Sequence, residues 1–374
     1  MSDKQPRSPR RHKVLHIING EDYSGAEYIQ DVLGLRLRHH DYDVSFACLK
    51  PNRFESARLC QDIPLFRIPM RSRIDLRPVL TVITLLERER FSLVHTHCSR
   101  TAMIGRIASA ISGRPMVHHS HGPTLNFGPT LRRGQTNALI ERTSLMQVSS
   151  VIAVSNTTRE YLRSQRIPDH VISVIPNGVI APTTRSGRTR PKKEWTIGII
   201  AMFRARKGLD VLLRATKLLK SKGHQVRLRA IGRFQTAADE RDSKKVASDL
   251  GLSDIDWVGF SDDVYRELET IDIFVQPSVV AEGLPIALLQ AMASETCVIG
   301  SNVDGITDAI RDGIDGLLTS PGNARHLAET ITSVITGEVD WNDLRLAARK
   351  RQVEHFSDTL MTTRVAQVYS EVLS

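Results

Sequence analysis

Residues 195–231 read WTIGIIAMFRARKGLDVLLRATKLLKSKGHQVRLRAI. The run opens with an apolar, β-branched stretch, Trp195 to Met202, which predicts a buried strand. A short basic turn follows. Leu209 to Ser221 then carries apolar residues at helical spacing, and Val226 to Ile231 is again strand-like. A strand, a crossover helix and a second strand within about 40 residues is the unit of a parallel sheet covered by helices.

The same alternation runs outward in both directions. On the N-terminal side, Val14–Asn19, Asp43–Leu49, Ser92–Thr96, Met116–His119, Val151–Val154 and Val171–Ile175 read as strands. Gly25–Arg38, Ile74–Arg90 and Arg100–Ile111 read as helices between them. On the C-terminal side, Asp256–Val258, Ile271–Gln276 and Cys297–Gly300 read as strands. Residues 181–194, APTTRSGRTRPKKE, have no apolar periodicity and predict a linker. The chain therefore predicts a basic flexible tail at 1–12 and a Rossmann-like domain at 13–180. After the linker come a second such domain at 195–355 and a closing helix at 356–374. Ala324–Thr336, about Asp343–His355, and Asp358–Leu373 are helical in period; the last carries Leu360, Val365, Val368, Tyr369 and Val372 on one face. Two doubly wound domains side by side would face each other across a cleft lined by the carboxyl ends of their strands, where open α/β sheets take ligands.

At 374 residues the chain suits two domains. Its 41% hydrophobic and 25% charged residues fit a globular protein. Cys48, Cys60, Cys98 and Cys297 form no C-x-x-C pair, so reduced thiols in a cytoplasmic protein are expected. Met1 to Lys13 lacks an apolar core, so no secretory signal is expected. The net charge of +10 fits a basic cleft for a phosphorylated ligand or an anionic membrane surface. With 5% aromatic residues and no nucleic-acid motif, a nucleic-acid partner is not expected.

Four segments carry chemistry. Ser24 and Glu27 have capping-box spacing at the first helix, and Gly25 lets a ligand approach its positive end. The segment is a phosphate site or simply a well-capped helix. Arg204, Arg206 and Lys207 lie between a strand end and a helix start. Fixed cations there could stabilise a departing diphosphate without a metal; the bland alternative is a solvated basic loop. In the stretch from Ser278 to Met292, Pro285 suits the first turn of a helix. Glu282 would then lie just before that helix. The amides of Gly283 and Leu284 would point at a phosphate or sugar hydroxyl, and Gln290 would sit one turn deeper than Ile286. Finally, His95 and His97 follow one strand and His118, His119 and His121 another. His-x-His can bind metal, but no Asp, Glu or Cys cluster accompanies it here, and no metal site is expected. His121, followed by Gly122, is placed to touch a sugar hydroxyl. Asp41-Tyr42-Asp43 and Asp254-Ile255-Asp256 precede strands, so they read as turns and not as metal-binding D-x-D motifs.

Taken in order, these segments resemble glycosyltransferase family four from about residue 13 to 373. The resemblance rests on Ser24-Gly25-Ala26-Glu27, Val151–Ser155, Val174–Val179 and Lys207–Leu213. It rests above all on Glu282-Gly283-Leu284-Pro285 running into Gln290-Ala291-Met292-Ala293, with Val303–Ile306 and Gly313–Leu318 beyond. It implies the GT-B architecture and transfer with retention from a nucleotide-sugar donor, a UDP-sugar foremost, with no cofactor and no metal. Lys207 would contact the diphosphate, helped by amides near Gly25. Glu282 would sit beside the donor sugar, Gln290 would hold the ribose hydroxyls, and His121 would lie near the transferred sugar. The closing helix would cross back onto the N-terminal domain.

Two positions depart from the family pattern. Its second glutamate is Gln290 here, which still hydrogen-bonds but without charge. Its arginine five residues before the lysine is Met202, so Arg204 or Arg206 would take over that phosphate contact. A catalytically weak or inactive nucleotide-sugar-binding subunit is the alternative these two raise; a nucleotide-sugar epimerase shares the architecture. The expected acceptor is a hydroxyl of a glycan or lipid-linked molecule in cell-surface polysaccharide or glycolipid synthesis. Arg132, Arg133 and Arg142 among Leu131, Leu139, Ile140, Leu145 and Met146 would suit peripheral contact with an anionic membrane, or an ordinary amphipathic helix.

Overall fold

A computed structural model describes residues 11–72, 75–123, 131–146, 148–183 and 187–374, without the side chains of 131–134. The basic tail up to residue 10 and the side chains of Arg132 and Arg133 thus lie outside the described residues, as does the middle of the expected linker.

The chain forms two compact units, 1–177 with 358–374, and 178–357. Unit 1 holds the strands β1 (His12–Ile18), β2 (Tyr42–Cys48), β3 (Leu65–Arg67), β4 (Leu93–Thr96), β5 (Met116–Ser120), β6 (Ser150–Ala153) and β7 (Ile172–Val174). They are parallel and lie in the order β3-β2-β1-β4-β5-β6-β7. Unit 2 holds β8 (Trp195–Ile200), β9 (Val226–Ile231), β10 (Ile255–Gly259), β11 (Ile273–Gln276), β12 (Cys297–Ser301) and β13 (Leu317–Thr319). These too are parallel, in the order β10-β9-β8-β11-β12-β13.

In both sheets the strand order reverses beside the first strand of the unit, the place where open α/β folds bind ligands. The apolar runs explain why. Leu15 and Ile17 enter one core, while Val14 and Ile18 are equally buried on the opposite face. A strand covered on both faces needs helices on both sides. In unit 2, Ile197 and Ile199 of β8 pack with Leu212, Leu219 and Trp341.

The last helix, Asp358–Leu373, completes unit 1. It buries Met361, Val365, Val368 and Tyr369, whereas the expected Leu360 and Val372 are half-buried. Arg36 of the first helix, Gly25–Leu37, binds Asp358 at 2.6 Å, and Tyr369 reaches His16 at 3.0 Å.

Two local expectations are corrected. Ser24 does not form the reciprocal capping box: its Oγ donates to the Glu27 carboxylate at 2.6 Å and leaves the helix amides uncapped by its side chain. The second half of the expected linker is held onto unit 2. The Arg188 guanidinium bonds the carbonyls of Leu268 and Ile271, and that of Arg190 bonds Ile335 at 2.8 Å and lies over Trp195. Among the described residues no helix is long and apolar enough to cross a membrane.

Candidate functional site

In unit 2 the site grows from the loop after β8. Phe203 is fully buried against Phe234, with ring centres 5.1 Å apart. Its amide donates to Arg233 O at 2.8 Å, and its carbonyl accepts from Gln235 at 2.9 Å. This anchor sets the basic turn Ala205–Lys207 at the head of the helix Leu209–Ser221. Gly208 closes the turn with φ +69°, and a Cβ there would overlap the carbonyl oxygen of Pro277. The backbone of the turn therefore lies directly on the segment leaving β11. Val279 N donates to Arg206 O at 3.0 Å and ties the two together.

Glu282 arrives from that segment. Its amide donates to Asp304 O at 2.9 Å. Gly305, at φ +82°, fits against the carbonyls of Glu282 and Gly283, where any Cβ would collide at 2.5 Å. The carboxylate is 4% exposed and meets Lys207 Nζ at 2.8 Å, Arg206 Nη1 at 3.2 Å and the Ser278 hydroxyl at 2.7 Å. Gln276 Nε2 donates to Ser278 Oγ at 2.9 Å.

Burial opposes ionisation of Glu282, but the two cations and these hydrogen bonds hold its carboxyl below the usual range. Burial lowers Lys207, with Glu282 opposing. Burial and the neighbouring Arg206 bring Arg204 down to about 10. Three cations facing one carboxylate leave an excess of positive charge, which suits an anion.

Structure thus brings Lys207, Arg206 and Glu282 into contact and sets Arg204 beside them. The helix carrying Gln290 starts at Ile286, with Pro285 extended at its N-cap. Pro285 is therefore not in the first turn as expected. The amides of Gly283 and Leu284 belong to the loop before the helix. Gln290 is buried on this helix. Gln276 was not anticipated; Ser278 and Asp304-Gly305 lay in stretches the sequence had marked, but their contacts with Glu282 were not foreseen, and Ser278 standing four residues before Glu282 was the available signal.

Ser24, Gly25 and His121 lie in unit 1. Parallel register sets His16 of β1 beside His95 of β4, and Thr96 beside His118 of β5. Just beyond, His97 Nδ1 meets His121 Nε2 at 3.2 Å, and His97 Nε2 meets His16 Nδ1 at 3.1 Å. Burial drives His16 and His121 down to about 3, and His95, His97 and His119 well below the usual range. These imidazoles are neutral at pH 7. The sequence marked His95, His97, His118, His119 and His121, but neither His16 nor their convergence. The two D-x-D stretches do not precede their strands as expected but run into them: Tyr42 and Asp43 belong to β2 and Ile255 and Asp256 to β10, with Asp41 left-handed (φ 63°) just before β2 and Asp256 paired with Arg229 at 2.8 Å.

Residues 23–181 match the family model described as Glycosyltransferase Family 4, and residues 181–351 match that of Glycosyl transferases group 1. The chain belongs to glycosyltransferase family four. Among its relatives, the amylovoran biosynthesis glycosyltransferase AmsK of Erwinia amylovora is 31% identical over 177 residues, 45% of this chain and 43% of that protein. The UDP-Gal:alpha-D-GlcNAc-diphosphoundecaprenol alpha-1,3-galactosyltransferase of Escherichia coli is 24% identical over 84% of this chain and 82% of its own. The crystal structure of Anabaena HepE with UDP and glucose superposes with a TM-score of 0.84 at 19% identity, over 96% of this chain and 100% of that one. The fold of this family-four glycosyltransferase is GT-B.

Proposed function

We propose that this glycosyltransferase moves a sugar, with retention and without a metal, from a UDP-sugar to a hydroxyl of a glycan or lipid-linked acceptor in cell-surface polysaccharide or glycolipid synthesis. The observation that carries the reading is the Lys207–Glu282–Arg206 constellation. The names of relatives support the donor and acceptor classes: one uses UDP-galactose on a diphosphoundecaprenol-linked sugar, and HepE is complexed with UDP and glucose.

In this mechanism the acceptor hydroxyl attacks the anomeric carbon from the face the diphosphate leaves. The bond from that carbon to the diphosphate oxygen breaks, the bond to the acceptor oxygen forms, and the acceptor proton passes to the departing diphosphate. Lys207 and Arg206, held in place by Glu282, neutralise the charge that grows on the leaving group. Glu282 and the Gly283 and Leu284 amides face the donor. Gln290 holds the ribose through neutral hydrogen bonds, amides near Ser24 and Gly25 assist at the diphosphate, and His121 positions the transferred sugar.

The test is a panel of UDP-, GDP- and ADP-sugars with lipid-linked and glycan acceptors, with and without EDTA. Nucleotide release from a UDP-sugar, insensitive to EDTA and abolished in Glu282→Ala, is the expected result. Gln290 and Met202 favour one second reading, a nucleotide-sugar-binding subunit. Tight donor binding with no turnover on any acceptor would select it, and no binding of any nucleotide sugar would end both.

The helix Leu131–Ser144 supports peripheral membrane contact, since Leu139 within it and Met146 just after it are 60% and 62% exposed. Flotation with vesicles containing anionic lipid, and not with neutral ones, is expected; failure to float with either removes the membrane from the proposal.

A further inference from the structure

The histidine cluster of unit 1 has more coordinating nitrogen than positioning a sugar requires. We propose that His97, His119 and His121 form a binding site for one divalent transition-metal ion of the zinc class. This goes beyond the transferase reading, which assigns the diphosphate to Lys207 and Arg206 and uses no metal, and it replaces the contact of His121 with the transferred sugar by a bond to the ion.

One ring nitrogen from each of the three histidines lies within 4.8 Å of the others. His97 Nδ1 and His121 Nε2 are 3.2 Å apart. Two ligands on a tetrahedral ion with bonds of about 2.0 Å stand roughly 3.3 Å apart, so this pair is already at ligand spacing.

His119 supplies the independent observation. It is fully buried, and among the described residues neither of its nitrogens has a hydrogen-bond partner. A buried imidazole left this way has given up its hydrogen bonds to water and gained none in return. The ring now stacks on that of His121, with centres 4.6 Å apart and planes 9° from parallel, so it turns to bring one nitrogen onto the ion, and the bond removes part of that cost.

The groups behind His97 prepare it as a ligand. Its Nε2 meets His16 Nδ1 at 3.1 Å, His16 Nε2 meets the Tyr369 hydroxyl at 3.0 Å, and that hydroxyl also meets His95 Nδ1. One proton assignment satisfies the whole chain. His97 Nε2–H donates to His16, His16 Nε2–H donates to Tyr369, and the Tyr369 hydroxyl donates to His95. His97 Nδ1 is then a lone pair facing His121. Metal-binding histidines are held in this way, with the far N–H donating to a fixed partner.

A second trio, His16, His95 and His97, also brings nitrogens together. Both nitrogens of His16 and one of His95 are already engaged there, so it is the poorer site. His121 is half-buried and gives an ion access from outside. Burial keeps all three ligands neutral at pH 7, the form a metal needs. An all-imidazole set favours zinc, copper, nickel or cobalt over magnesium or calcium.

The experiment titrates the full chain, free of any added histidine tag, with Zn²⁺ by calorimetry and with Co²⁺ by visible absorption. One ion per chain is expected. His97→Ala and His119→Ala should each weaken binding at least 100-fold, and Tyr369→Phe by about tenfold through loss of the supporting hydrogen bonds. His12→Ala and His170→Ala, on exposed histidines, should change nothing. Absence of binding, or binding retained by both cluster variants, overturns the site. Should the cluster variants fail to fold, the Co²⁺ spectrum of the unsubstituted protein decides. Intense bands of four-coordinate cobalt support the site, and the weak bands of six-coordinate cobalt reject it.

Discussion

Lys207→Ala is expected to lower kcat/KM for the nucleotide-sugar by about 10²–10³-fold, the loss usual when one fixed group stabilising transition-state charge is removed. The loss should fall mainly on kcat. The diphosphate gains charge as the anomeric bond breaks, so the ammonium interacts more strongly with the transition state than with the bound donor. The fold should survive, because Glu282 keeps Arg206 at 3.2 Å and the Ser278 hydroxyl at 2.7 Å. Lys207→Arg should recover only part of the activity, since a planar guanidinium cannot take the place of a compact ammonium beside a second arginine. Steady-state kinetics beside thermal melting separate the cases. An unchanged kcat in a well-folded variant would remove Lys207 from the leaving-group role.

Gly208→Ala attacks the same turn through the backbone. An alanine held at φ +69° costs roughly 1–2 kcal/mol for the left-handed conformation alone. The new methyl would also meet the carbonyl of Pro277, and moving that backbone adds about 1–3 kcal/mol. The sum, about 2–5 kcal/mol, should lower the Tm of a unit of this size by about 5–15 °C. Gly223→Ala is the matched control, with φ +87° and no neighbouring atom to strike. It should show the backbone cost alone. Equal melting points for the two variants would mean that the contact with Pro277 has no energetic weight. Gly208→Ala should also impair donor turnover beyond its stability loss, because the turn it displaces carries Arg206 and Lys207.

The fold was legible where apolar runs were long enough to show a period. Leu209–Ser221 and Val226–Ile231 appear in the structure with the limits read from the sequence. The edge strands Leu65–Arg67 and Leu317–Thr319 did not show, because neither lies in a longer bounded apolar run such as Val171–Ile175, which revealed the equally short Ile172–Val174. Glu282 and Lys207 were named separately, but their contact depends on Gly208 and Gly305 letting two loops approach, which no spacing reveals. The histidines were harder still. His97 and His121 are 24 residues apart, and only the register of β4 against β5 makes them neighbours. Two His-x-His pairs at the ends of neighbouring parallel strands were the trace left in the sequence.

The return of helix Asp358–Leu373 to unit 1 has a consequence for synthesis. Unit 2 is encoded inside unit 1, between residues 177 and 358. As the chain emerges from the ribosome, the seven-stranded sheet waits for its last helix through the whole of residues 178–357, while unit 2 has all its own elements at hand. Until Tyr369 arrives, His16 and His95 lack their shared hydroxyl partner, and the face that Met361 and Val365 will cover stays open. The first domain to be translated is thus the second to be finished, and a ribosome that stalls late in the message releases a chain whose unit 2 is complete and whose unit 1 is not.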